Sequence, residues 1–213
     1  MDFVEPYRQP MSSEKKQLEG RLREIAAAAR ELIAERGFEG LRTRDIAARV
    51  GINIATLHYH VPSKEALIAI VAQSIRDDFI AQHQSRPRDG LGPRALLELE
   101  FLEFRENLVA NPQLIPVLAE LTERARRDTN VADAIRPMQS FWHAQIAGIL
   151  ESGRNLGVFR ADIDPPVAAL MVVGTLIATQ RYPDRSLEFF DRVCAELLRA
   201  LSSNPPRENL QNV

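Results

Sequence analysis

Apolar residues recur three and four positions apart along nearly the whole chain, and alternation with period two between turn signals is absent. Spacing of that kind places apolar side chains on one face of a helix and does not suit a half-buried strand. The pattern therefore predicts an all-α protein, with about nine helices in total. A first helix is expected over about Gln17 to Arg36, with Leu22, Ile25, Ala29, Leu32 and Ile33 inward. Gly37 closes it as a C-terminal cap, and Phe38 then enters the core. Two short helices follow at about Thr43 to Val50 and Ile54 to His60, the second capped by Asn53. Pro62 stops that helix, and Ser63 caps a fourth that continues to about Gln82. Ser85 to Pro93 is rich in Pro and Gly and reads as a linker. Five more helices are expected at about 93–110, 112–127, 130–154, 165–181 and 185–202, with Pro137 kinking or splitting the third of these.

The two short helices carry the first functional signal. They are separated by Gly51, Ile52 and Asn53, and a three- or four-residue turn containing glycine between short helices is the helix-turn-helix. Ile46, Val50, Ile52, Leu57 and Val61 can fill the angle between them. The Ile54–His60 helix is then free to enter a DNA major groove. The domain plan is a flexible arm over 1–17, a three-helix DNA-binding domain over 18–66, a larger helical ligand-binding and dimerisation domain over 67–202, and a flexible tail over 203–213.

Charge alters this picture only locally. The whole chain carries a formal net charge of -2, ordinary for a protein that is 45% apolar and 26% charged. Between Arg42 and Lys64, however, Arg42, Arg44, Arg49 and Lys64 are opposed by Asp45 alone. A local basic face on a mildly acidic chain suits a DNA module joined to a domain that does not touch DNA. The single cysteine, Cys194, excludes an intrachain disulfide and fits an apolar helical face. Met1 to Pro10 lacks the apolar core of a signal peptide, and the uncharged run Pro165 to Gln180 is too short and soft to span a membrane. The expectation is a cytoplasmic protein with no membrane partner.

The string Arg44-Asp45-Ile46-Ala47-Ala48-Arg49-Val50-Gly51-Ile52-Asn53-Ile54-Ala55-Thr56-Leu57-His58-Tyr59-His60-Val61-Pro62-Ser63-Lys64-Glu65-Ala66-Leu67 resembles the DNA-binding domain of the tetracycline-repressor (TetR) family. The family pattern has Ile-Ala in the second helix, Gly-Val-Ser before the third, then Thr-Leu-Tyr-aromatic-His-Phe and Ser-Lys-Glu-x-Leu. This chain departs from it with Arg42, Ala55, His58 and Val61. Further on, the stretch from Gly153 to Pro165 is similar to the family's turn before two dimerisation helices.

The resemblance and the helical reading together nominate residues. For DNA these are Arg42, Thr43, Arg44, Asn53, Ile54, Ala55, Thr56, His58, Tyr59, His60 and Lys64. Lys64 would clamp phosphate beside the N–H groups of a helix start, with a solvated surface lysine as the alternative. Tyr59 would reach base edges or sugar, and His60 phosphate; the alternative is packing against the first helix. Ile54, Ala55 and Thr56 are small or apolar enough to meet thymine methyls. His58 and His60 lie two apart and cannot form a helical metal pair, so no metal is expected.

In the second domain Phe101, Phe104, Arg105, Leu108, Trp142, His143 and Ile146 form an aromatic set on two helices. It reads as core or as a ligand pocket oriented by Arg105 and His143. The helix from Pro165 is apolar nearly all round, so it must be covered on every side. A two-fold interface is expected through Leu170, Gly174 and Ala178 with Phe190, Val193 and Leu197 of the final helix. No catalytic set, phosphate loop or metal spacing argues for an enzyme. The expected protein is a homodimeric repressor that binds palindromic double-stranded operator DNA, needs no cofactor, and is released by a small-molecule effector. A constitutive regulator without a ligand is the alternative.

Overall fold

A computed structural model describes residues 13–203. Nine α-helices run through the described residues: α1 (Ser13–Arg36), α2 (Thr43–Val50), α3 (Ile54–His60), α4 (Lys64–Gln84), α5 (Pro93–Ala110), α6 (Leu114–Ala125), α7 (Thr129–Asn155), α8 (Pro165–Thr179) and α9 (Leu187–Leu201). A 3-10 turn, Phe38–Gly40, follows α1. The all-α expectation holds. The helix ends shift by a residue or two in several places, because terminal turns are set by caps rather than by apolar period. α1 already includes residues 13–17, which were expected in the arm; the remainder of the arm and residues 204–213 lie outside the described residues. α7 is one helix that runs through Pro137.

The described residues form two compact units. The first contains residues up to Asp78 together with Ala119–Ala134; the second contains Phe79–Leu118 and the chain from Ile135. α4 is continuous across residue 66, where the domain boundary was expected, and contributes to both units.

In the first unit, Ile25, Ala29, Leu32 and Ile33 of α1 are buried together with Phe38, Ile46, Ala47, Leu57 and Val61. Gly37 has φ +69°, a region that favours glycine, and its N–H reaches back to the Ile33 carbonyl at 2.8 Å. The chain therefore reverses sharply and drops Phe38 into the core. Arg30 is buried beneath this layer and pairs with Asp78 of α4 at 2.6 Å. Glu120 of α6 accepts the Phe38 N–H at 3.2 Å, and Arg124 reaches Glu39 at 2.8 Å.

The second unit has its own core of Leu97, Phe101, Phe104, Ile146, Leu150, Phe159, Val172, Leu176, Phe190 and Cys194, among others. Burial, then nearby Asp191, pushes the Cys194 thiol up to about 12, so it packs as a small apolar group. Gly153 of α7 makes room for the Phe159 ring: a Cβ there would lie 2.0 Å from a ring carbon. Phe159 also pairs with Ser202 in an isolated antiparallel bridge, which anchors the chain just after α9. No helix among the described residues is long and apolar enough to cross a membrane.

Candidate nucleic-acid interface and effector region

Local chemistry builds the reading element before tertiary packing holds it. Gly51 closes α2 at φ +74°, and its N–H bonds back to the last turn. Two residues later the Asn53 side chain accepts the Thr56 N–H at 2.7 Å and starts α3. Ser63 does the same for α4, accepting the Ala66 N–H at 3.1 Å. Leu57 is the buried side chain of α3, at 1% exposure. Ile54, Ala55, His58 and Tyr59 consequently face outward, and Tyr59 is 83% exposed. An aromatic ring so open to water has no packing role in the protomer, which removes packing against α1 as an explanation for Tyr59. His60 is half-buried, and its ring meets that of Tyr59 edge-on at 5.2 Å.

A groove of about 510 Å³ lies between the start of α2, the end of α3 and the start of α4. Arg42, Thr43, Arg44, His58, Ser63 and Lys64 line it. Five residues nominated from sequence at three separate points thus share one concave, basic surface. The fourth cation of the basic segment, Arg49, does not join it. Arg49 turns back to Glu35 at 2.9 Å and Glu31 at 3.3 Å. The hydrogen bond from Arg49 holds the Glu35 carboxyl below its ordinary value. Arg49 therefore braces α2 against α1, a role the sequence conceals because Glu31 and Glu35 lie a helix away. Lys64 sits over the Phe38 ring with its ammonium 4.6 Å from the centroid, which limits where its charge can point.

The aromatic set of the second unit divides in two. Phe101, Phe104 and Ile146 are in the core, with Leu108 and Trp142 packed against it. Phe104 lies between two rings, Trp142 at 5.9 Å and Phe190 at 5.6 Å. Arg105 points away from this stack and pairs with Asp191 at 2.8 Å in a partly exposed bridge, while His143 is half-buried.

The polar centre of the unit, missed in the sequence, is a buried network around Glu100 and Glu103. Arg88 reaches Glu100 at 2.7 Å and Glu103 at 2.6 Å. Trp142 donates its indole N–H to Glu100 at 3.2 Å, and Gln145 donates to the other Glu100 oxygen. Gln145 also approaches the His83 ring at 3.4 Å. Burial raises the Glu103 carboxyl above its ordinary value against the pull of Arg88. Burial, then the charge of Arg88, lowers His83 below the ordinary histidine value, with Glu100 pulling the other way. Glu100 and Glu103 are three apart and share a helix face, a signal that was readable. Their partners come from residues 83, 88, 142 and 145, and that assembly was not.

On α8, Val167, Leu170, Met171, Gly174 and Ala178 are exposed, Leu170 and Met171 each at 64%. Val193 and Leu197 of α9 are half-buried. Phe190 is not on this face: it is 2% exposed within the protomer's own aromatic stack. The amphipathic period of α9 turns Phe190, Cys194 and Leu201 inward together.

Residues 25–71, which contain α2, the turn and α3, match the family model of bacterial regulatory proteins, tetR family. The chain carries the DNA-binding domain of the TetR family. It is 29% identical over 152 residues to the HTH-type transcriptional repressor KstR2 of Rhodococcus jostii (strain RHA1), covering 70% of this chain and 72% of that one. It is 37% identical over 87 residues to the tetracycline repressor protein class D of Escherichia coli, covering 40% of this chain and 38% of the relative. The fold resembles that of the ketosteroid transcriptional regulator KstR2 of Mycobacterium tuberculosis, with TM-score 0.67 and 21% identity over 86% of this chain and 96% of that one. With that domain, the chain is a DNA-binding transcriptional regulator. Members of the family bind operator DNA and effector ligands and act as dimers.

Proposed function

We propose that this TetR-family protein is a repressor whose dimer reads a palindromic operator with α3 and is released by a small-molecule effector bound in the second unit. The observation that carries the DNA reading is the outward face of α3, with Tyr59 at 83% exposure beside the groove of Arg42, Arg44, His58 and Lys64. Phosphate contacts position such a protein, and base-edge contacts specify the site. Lys64, Arg42, Thr43 and Arg44 take the first role, with His58 and His60 beside them. Tyr59, Ile54, Ala55 and Thr56 take the second, on a helix started by Asn53. The exposed stripe of α8, flanked by Val193 and Leu197, is the two-fold interface. Selection of binding sites from random duplex DNA tests the whole reading: an inverted repeat with half-sites roughly one DNA turn, about 34–36 Å, apart is expected. Recovery of single, unpaired half-sites would overturn the dimeric reading. Addition of metabolite extracts to the bound operator tests release.

Two substitutions separate the roles. Lys64→Ala should weaken binding to every DNA sequence alike and reduce the salt slope by about 1, since one phosphate contact is lost. Unchanged affinity at physiological salt would assign Lys64 to its contact with Phe38 alone. Tyr59→Ala should lower operator affinity by about 1–3 kcal/mol, or about fivefold to 150-fold, and leave non-specific affinity in place. Fluorescence anisotropy on operator and scrambled duplexes measures both; equal losses on the two would make Tyr59 a positioning residue.

A further inference from the structure

We propose that His83, Glu100 and Glu103 form a binding site for a divalent transition-metal cation, whose place is taken in the structure by the guanidinium of Arg88. The donor atoms of the three side chains lie within 4.8 Å of one another, close enough to share one ion. Glu100 and Glu103 are 5% and 7% exposed, and both extend from the same face of α5. His83 is supplied by the last turn of α4. An imidazole nitrogen with two carboxylates suits Zn²⁺, Mn²⁺, Co²⁺ or Ni²⁺ better than an all-oxygen ion such as Mg²⁺ or Ca²⁺.

Two further observations point to a cation rather than to a finished structural ion pair. The first is charge. Two buried carboxylates form their ion pairs with a single guanidinium, because neighbouring Arg86 is paired with Glu106 at 2.6 Å and reaches Glu103 only through its charge. A divalent ion would bring two positive charges to the two carboxylates, where the Arg88 guanidinium brings one. The second is the fit of Arg88 itself. Its Nε is buried with no acceptor among the described residues, so its seat leaves one donor unsatisfied. Arg88 also comes from the loop between α4 and α5, not from a helix, and Gly90 of that loop has φ +78°. A side chain on such a loop can leave without unwinding a helix.

The surroundings are those of a ligand set held in place. Trp142 and Gln145 donate to opposite oxygens of Glu100, and Gln145 also touches the His83 ring. Groups that orient metal ligands in this way typically change affinity about 10–100-fold when removed. Metal binding expels Arg88 to solvent and removes its hold on α5, while Arg86 keeps its pair with Glu106. The consequence for DNA rests on the repressor reading above; the binding itself does not.

The test uses the full chain, stripped with chelator and titrated with Co²⁺, Zn²⁺, Mn²⁺ and Ni²⁺. Expected are one saturable site per chain by calorimetry and visible absorption bands for bound Co²⁺. His83→Ala and Glu103→Gln should each weaken binding by about tenfold or more. Arg88→Ala should do the opposite and tighten it, because the resident competitor is gone. A merely structural ion pair would not produce that change of sign. Arg88→Ala uncovers two buried carboxylates and lowers stability, so its thermal midpoint is read with and without metal. A larger rise on adding metal than in the wild type supports the site. No saturable binding in either protein, or binding indifferent to His83→Ala and Glu103→Gln, overturns it. Binding of methylguanidinium at this cluster in place of the metals also overturns the metal assignment, in favour of an organic-cation cradle. Metal binding that leaves operator affinity unchanged keeps the site and removes only its role in release.

Discussion

Gly174→Arg is expected to yield a folded monomer that no longer holds a palindromic operator. Gly174 lies on the exposed face of α8, in line with Leu170 and Ala178. A Cβ added there meets no atom within 4 Å, so the protomer itself has room for a larger side chain. Any loss must therefore come from what covers that face. Leu170 and Met171, each 64% exposed, flank it with large apolar groups that a lone chain would leave in water. An arginine placed there would bring an unpaired charge into a contact between two apolar helices, and an unpaired buried charge is costly. Losing the second reading helix removes the gain from linked binding, about a hundredfold or more. Sedimentation reports the oligomeric state and a gel shift the operator affinity. A variant that remains dimeric and binds normally would move the interface away from α8.

Leu57→Ala is expected to undock α3 while the second unit stays folded. A helix of seven residues has no stability of its own in water, because nucleation is costly and few hydrogen bonds follow. Its position depends on Leu57, at 1% exposure, with Val61 just beyond its end. Truncating a buried leucine costs about 2–5 kcal/mol, more than the about 1 kcal/mol supplied by the Asn53 cap. Hydrogen exchange at the amides of residues 54–61 should accelerate strongly, and operator preference should vanish. The amides of α8 and α9 should keep their protection. Unchanged exchange in α3 would mean that it is held by something other than Leu57.

These two expectations rest on different kinds of information. The helix-turn-helix was legible in the sequence because its determinants are local. Gly51 closes a helix, Asn53 starts the next within three residues, and the apolar period places Leu57 inward. Local signals of this kind act over one or two turns and survive translation into a string of letters. The family resemblance was legible for the same reason, since it runs through one continuous segment. The bare apolarity of α8 also showed in the sequence, and with it the demand for a cover. Which of its residues lie outward did not, because a helix apolar all round gives no phase. α9 was misjudged at Phe190 on related grounds: its apolar face serves the protomer's own core, where Phe104 and Trp142 continue the stack.

What only the tertiary structure decided are the pairings between distant charges. Arg49 counted toward the basic charge of the Arg42–Lys64 segment, but Glu31 and Glu35 of α1 claim it. Arg105 stood out with His143 as a polar member of an aromatic set read as core or pocket, yet it meets Asp191 in a partly exposed pair. The polar centre of the second unit is instead Glu100 with Glu103, neutralised in part by an arginine from a loop and oriented by Trp142 and Gln145. The physical reason is common to all of them. Whether a charged side chain is solvated or buried depends on which elements the chain brings together, and the worth of a charge changes several-fold between those environments. Sequence fixes where helices begin and which way most of them face; long-range packing decides which charges meet inside.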